Sequence, residues 1–193
     1  MSSAHMNRGG HLRASVFIAT SLDGYIARKD GNLDWLDEAN AVVPEGEDCG
    51  YQKFIDSVGT LIMGRNTFEK VWSFGQWCYG KMPVIVLSGN QLGIPSDVPN
   101  TVTHSSEHPR ALLDRLSSEG IEHVYVDGGA TIQSFLSEGL IDQVTVAVIP
   151  ILLGEGISLF GSLEKDIKLK HEHTQVFEFG FVQTTYLVEK PIN

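Results

Sequence analysis

Short apolar runs, separated by glycine turns and by segments of helical periodicity, recur along most of this chain. ASVFIAT (residues 14–20) reads as a buried strand. TLIMG (60–64) and PVIVLS (83–88) are continuous apolar runs bounded by Gly, Pro and Ser, the pattern of strands covered on both faces. YQKFIDSV (51–58) predicts a short helix with Phe54, Ile55 and Val58 on one side. HPRALLDRLSSEG (108–120) sets Leu112, Leu113 and Leu116 at helical spacing and stops at Gly120, a C-terminal glycine. HVYVDGG (123–129) is a further buried strand ending in two glycines, and ATIQSFLSEG (130–139) turns Ile132, Phe135 and Leu136 inward. DQVTVAVIP (142–150) is the next strand. The closing stretch, residues 167–190, shows two alternating runs around Gly180, the signal of an antiparallel hairpin.

Strand, glycine turn and helix in repetition predict an α/β fold, with a mainly parallel sheet flanked by helices and antiparallel strands at one edge. In such sheets ligands belong at the carboxyl ends of the strands. Three turns fall there: Gly64-Arg65-Asn66-Thr67, Ser88-Gly89-Asn90 and Gly128-Gly129-Ala130-Thr131. The first and third open helices, where unpaired amides and the dipole favour an anion. The Arg65 guanidinium adds a fork of donors suited to phosphate oxygens. Together the turns point to an extended, phosphate-bearing ligand, although each alone is also an ordinary tight turn and no GxGxxG fingerprint is present.

Composition narrows the partners. With 193 residues, 42% hydrophobic and 20% charged, the chain has the length of one domain able to bury a core without metals or disulfides. No apolar run reaches the roughly 18 residues of a membrane span, so we expect a protein that is not membrane-bound. The net charge of −10 argues against nonspecific binding to nucleic acid or to anionic membranes. Cys49 and Cys78 lie outside any CxxC pattern, which suits a reducing cytoplasm and argues against a cysteine-ligated zinc site. His171 and His173 share a strand face but lack a third ligand nearby, so we read them as solvated and expect no metal. Residues 1–13 are polar with an internal methionine and lack a secretory core, the character of a disordered tail or a cloning remnant.

FIATSLDGYIA, LIMGRNTFE, VIVLS, VYVDGGATI and VIPILLGEGISLFG, in this order, resemble the dihydrofolate-reductase-like superfamily. The likeness is closest to the RibD C-terminal domain family, the reductase domain of the bifunctional riboflavin-biosynthesis deaminase-reductase. The resemblance covers residues 14–190 as one domain and implies an eight-stranded mixed sheet, a bound NADPH and a homodimer. It implies that Gly64, Arg65, Asn66 and Thr67 contact the cofactor phosphates and adenosine ribose, and that Ser88 lies near the adenine ribose phosphate. It also implies that Gly128, Gly129, Ala130 and Thr131 approach the pyrophosphate, and that Ala19 and Ile26 hold the nicotinamide.

Hydride transfer to a heterocycle usually needs a proton donor beside the acceptor atom. Asp23, in the loop after the first strand, and Asp48 are the candidate catalytic carboxylates; their alternatives are a turn carboxylate and a helix cap. Asp48 falls where the resemblance puts the substrate carboxylate of true dihydrofolate reductases. Trp35, Tyr51 and Phe54 are candidates for contact with a small heterocyclic substrate. In the riboflavin reductases the helix before MGR carries an arginine for the substrate's ribose phosphate. Here Ile55 stands near that position, which leaves Arg28, Lys29 or Lys53 to meet such a phosphate. The zinc deaminase signature is absent. The expected function is an NADPH-dependent reductase of a pyrimidine-ribosylamine, pteridine or similar heterocycle. A true dihydrofolate reductase and a noncatalytic nucleotide-binding dimer are the alternatives.

Overall fold

Val, Ile and Leu runs build the middle of an eight-stranded sheet in the computed structural model, which describes residues 12–190. Its strands are β1 (Arg13–Ser21), β3 (Thr60–Gly64), β4 (Val84–Leu87), β5 (Val102–Ser105), β6 (His123–Asp127), β7 (Gln143–Ile149), β9 (Leu169–Val176) and β10 (Val182–Val188). They lie in the order β5-β4-β3-β6-β1-β7-β10-β9. β10 alone runs against its neighbours, pairing antiparallel with both β7 and β9 around the turn at Gly180. A two-stranded ribbon, β2 (Tyr25–Ala27) with β8 (Ile157–Ser158), folds over one end of the sheet. Beginning at Arg13, with Leu12 already buried, the first strand starts just before the expected boundary at residue 14. Of the tail predicted at residues 1–13, residues 1–11 lie outside the described residues.

Two helices cover each face. Period-two alternation turns Ile62, Val124 and Val126 toward α4 (Pro109–Ser118) and α5 (Gly129–Ser137), where Leu112, Leu116, Ile132 and Phe135 complete one core. The intervening residues Leu61, Met63 and Tyr125 face α3 (Arg65–Trp72) through Phe68, and α2 (Tyr51–Asp56) through Tyr51 and Phe54. A third cluster sets Trp35, from α1 (Asp34–Asn40), against Ile149, Phe177 and Phe181. The predicted stop at Gly120 is a Schellman motif. Gly120 adopts φ +86, its N–H donates to Ser117 O, and the Ile121 N–H donates to Leu116 O. Gly139 ends α5 in the same way. β2, β5, β8 and α1 were not foreseen. All are short, and β5 reads Val-Thr-His-Ser, too brief and too polar to stand out from the surrounding loop.

Candidate active site

β3 and β6 lie side by side, with Met63 opposite Asp127, so the turns that follow them meet at one edge of the sheet. Each turn needs its glycine for the other. A Cβ on Gly64 would stand 2.6 Å from the Thr131 hydroxyl, and one on Gly128 would overlap the Thr67 hydroxyl. Thr67 sits in the first turn of α3 and Thr131 in the first turn of α5, so two helix starts interlock through a reciprocal glycine–threonine exchange. Gly128 also holds φ +90, a conformation that side-chain-bearing residues rarely adopt. The absent Cβ of Gly128 therefore makes room for Thr67. Gly129 is close-packed too: its Cβ would lie 3.0 Å from Ile26 Cδ1 and 3.3 Å from Ser158 O, under the β2–β8 ribbon.

Both helix starts open on one cavity of about 1030 Å³, at the upper end of the size of small-molecule sites. Neither α3 nor α5 has a side-chain cap on its first-turn amides, the condition in which a helix N-terminus receives an anion. Ala19, Ile26, Gly64, Arg65, Asn66, Thr67, Ser88 and residues 128–131 all line this cavity, so the structure assembles every cofactor position that the resemblance implied. Arg65 is turned along its own helix, its Nε donating to Glu69 Oε1 at 2.7 Å. Ser88 donates its hydroxyl to the Asn90 carbonyl at 2.9 Å and, with Gly89, Ser106 and Glu107, forms one end of the cavity. Arg115 and Ser105 hydrogen-bond the Glu107 carboxylate and hold its pKa below the usual range, Arg115 contributing most.

The expected carboxylates do not line the cavity; Asp127 does. Asp48 accepts the Gly50 and Gln52 amides, each at 2.8 Å, which ties it to the first turn of α2 from an exposed loop two residues before the N-cap Gly50. Asp23 accepts the Ser21 hydroxyl at 2.6 Å and the Leu153 and Gly154 amides at 3.2 and 2.7 Å, tying the β1–β2 turn to the loop before β8. The Ser21 hydroxyl is the main influence holding Asp23 ionised, the wrong state for a proton donor. Both carboxylates thus follow their bland alternatives, because backbone amides nearby satisfy them. Trp35 is 1% exposed inside the third core cluster, beyond reach of a substrate. Phe54 stacks on Phe17, with ring centroids 5.0 Å apart, and sits behind the cavity wall rather than in it. Tyr51 packs edge-on against Phe17 in the same layer.

At the end of β6 the Asp127 carboxylate accepts the Gly128 N–H at 2.8 Å. Burial raises its pKa to about 6, opposed by that amide and by Tyr125. Phenols surround it. Tyr51, Tyr79 and Tyr125 all have raised pKa values, in each case chiefly through burial and next through the Asp127 charge, so all three remain protonated at neutral pH. The Tyr125 hydroxyl donates to Phe17 O at 2.8 Å, and Cys78, its thiol pKa raised mainly by burial, completes the wall. The signal of Asp127 in the sequence is a carboxylate closing an otherwise apolar strand at the ligand-binding end of the sheet. Tyr79, 46 residues before Tyr125 in numbering, had no local signal at all.

An α/β sheet of this order, with paired helix starts over one cleft, is the dihydrofolate-reductase-like fold. The profile of the RibD C-terminal domain matches residues 14–182, and the chain belongs to that family. The uncharacterised protein YwjB of Bacillus subtilis (strain 168) is 38% identical over 165 residues, covering 84% of this chain and 90% of that one. A crystal structure from Shewanella sp. PV-4, described provisionally as a riboflavin biosynthesis protein, superposes with a TM-score of 0.87 at 39% identity, covering 93% of this chain and all of that one. The dihydrofolate reductase of Enterococcus faecalis, solved with NADP(H), shares the fold alone. It superposes at a TM-score of 0.62 and 18% identity over 94% of this chain and 99% of that one.

Proposed function

We propose that the chain is an NADPH-dependent reductase that passes a hydride to a heterocyclic substrate seated against Asp127. The observation that carries the reading is one cavity holding two uncapped helix starts and a carboxyl group whose pKa burial raises to about 6. Amides at the starts of α3 and α5, with Asn66 and the Arg65 side chain, receive the cofactor phosphates. Ser88 and its neighbours hold the adenosine end, and Ala19 and Ile26 the nicotinamide end. Bound there, the reduced cofactor supplies the hydride. Asp127 supplies the matching proton to the substrate nitrogen and is recharged from solvent through the open side of the cleft. That carboxyl favours an enzyme over a nucleotide-binding module, and with Asp48 tied to the first turn of α2, a true dihydrofolate reductase loses its main support.

Quenching of protein fluorescence by NADPH, followed by NADPH oxidation across a panel of pyrimidines and pteridines, tests this. Binding with turnover on one heterocycle class is expected; binding without turnover on any would leave the noncatalytic reading. We also infer a homodimer through the open edge of the sheet, where β9 exposes all eight residues, Leu169 and Val176 among them. Light scattering at micromolar concentration should report about twice the 21.2 kDa chain mass.

A further inference from the structure

Away from the cleft, at the amino end of the sheet, His123 opens β6 and is 6% exposed. Its Nε2 lies 2.8 Å from the hydroxyl of Ser15 on β1. Three groups crowd the other ring nitrogen, Nδ1. Arg13 Nη2, at the start of β1, stands 3.1 Å away, and the carbonyl and hydroxyl oxygens of Ser57, at the end of α2, stand 3.0 and 3.2 Å away. A carbonyl only accepts, and the Ser57 hydroxyl already donates to Phe54 O at 2.6 Å, so both Ser57 oxygens await a donor. A guanidinium only donates. Nδ1 therefore cannot serve Arg13 and Ser57 in one protonation state: bare, it accepts from Arg13; protonated, it donates to Ser57 and meets Arg13 as a second donor.

Burial and charge select between the states. Phe54 covers the imidazole edge-on, ring centroids 5.8 Å apart, and burial is the main cause that lowers the His123 pKa below the ordinary 6.5, with the Arg13 charge next. The Ser57 carbonyl and the Asp142 carboxylate act the other way. Asp142 is itself engaged by the Ala14 N–H at 2.8 Å and by Lys190 at 3.2 Å. Arg13, Ser57 and His123 line a hollow of about 560 Å³ whose other charged groups, Asp56 and Glu122, are not among the influences on the ring.

We propose that His123 is a proton-operated clasp that changes partner: neutral, with its proton on Nε2, it holds the Arg13 side chain at the start of β1; protonated, it releases Arg13 and holds the Ser57 carbonyl at the end of α2. Ser15 accepts from Nε2 in both states. Acidification thus transfers one tie from β1 to the helix that carries Tyr51 and Phe54 against Phe17 of the cavity wall.

NMR of the full chain, uniformly labelled with ¹³C and ¹⁵N and titrated from about pH 8 to about pH 4.5, reads both partners at once. Long-range ¹H–¹⁵N spectra should show the His123 proton on Nε2 at the alkaline end and a midpoint below 6.5. The Arg13 Cζ and Ser57 carbonyl carbons should shift with that same midpoint. Arg13→Met, which keeps the length of the side chain and removes its charge and donors, should raise the midpoint by about half a pH unit. A proton on Nδ1 at the alkaline end, a midpoint at or above 6.5, or Arg13 and Ser57 signals that ignore the ring's titration each overturn the inference. So does an Arg13→Met midpoint equal to that of the wild type.

Discussion

The two ends of the cavity are built on different principles. Toward α3 and α5, backbone does the work: two glycine turns interlock with the threonines of each other's helix, the first-turn residues line the cleft, and the Arg65 guanidinium is half-exposed and shared with Glu69. Toward Asp127, side chains do it: a carboxyl and three phenols are held at raised pKa by burial. Backbone donors of fixed position suit a ligand that every turnover presents identically, such as a cofactor's phosphates. A titrating carboxyl among aromatic groups suits the partner that changes protonation during reaction.

The comparison can be broken most severely at Gly128. Gly128→Ala adds strain at φ +90 and an overlap with Thr67, and thermal or urea unfolding should show a loss of about 2–5 kcal/mol. Adding Thr67→Ala should recover the overlap part and leave the backbone part. A glycine that merely made room for a ligand would instead lose cofactor affinity with stability intact.

Next in size is Asp127→Asn, which should lower turnover by roughly 10²-fold or more while NADPH affinity stays within about twofold. In the wild type, turnover should fall as pH rises through about 6, where the carboxyl loses its proton, and the Asn variant should lack that limb. Stability carries the same signature with a defined sign. The folded-state pKa lies above the ordinary 3.8, so the protonated form's advantage is complete below about 4 and is lost as pH rises to about 6. Across that window the stability of Asp127→Asn should improve relative to wild type, with no further change above it; a constant difference would remove Asp127 from the list of raised carboxyls.

Smaller effects sharpen the other end. Arg65→Ala should weaken NADPH by about 1.5 kcal/mol, the low end for a charge-assisted contact because the side chain is half-exposed and shared with Glu69. NADH should be affected less if the guanidinium meets the 2′-phosphate. Asp48→Asn and Asp23→Asn should change turnover least, within about twofold, their consequences appearing as fraying of α2 and loosening of the loop at Leu153 and Gly154. A large turnover loss in either would return the chemistry to the carboxylates first picked out by position.

What the sequence by itself determined was local in origin. Apolar runs marked β1, β3, β4, β6 and β7 because a strand covered on both faces must be apolar throughout. Gly120 marked the end of α4 because a left-handed residue there excludes most side chains. The glycine turns after β3 and β6 announced a ligand edge because strand-to-helix turns sit at the carboxyl end of a parallel sheet. Tertiary structure alone decided which residues act together. Gly64 meets Thr131, and Gly128 meets Thr67, only because β3 and β6 are neighbours in space while lying some sixty positions apart. Asp48 and Asp23 became structural once particular backbone amides came within reach, and Trp35 left the list of substrate contacts once Phe177 and Phe181 closed over it. Asp127 acquired its chemistry from burial among Tyr51, Tyr79 and Tyr125, and burial is a property of the assembled core: it depends on which distant side chains exclude water, and no local pattern of residues records that.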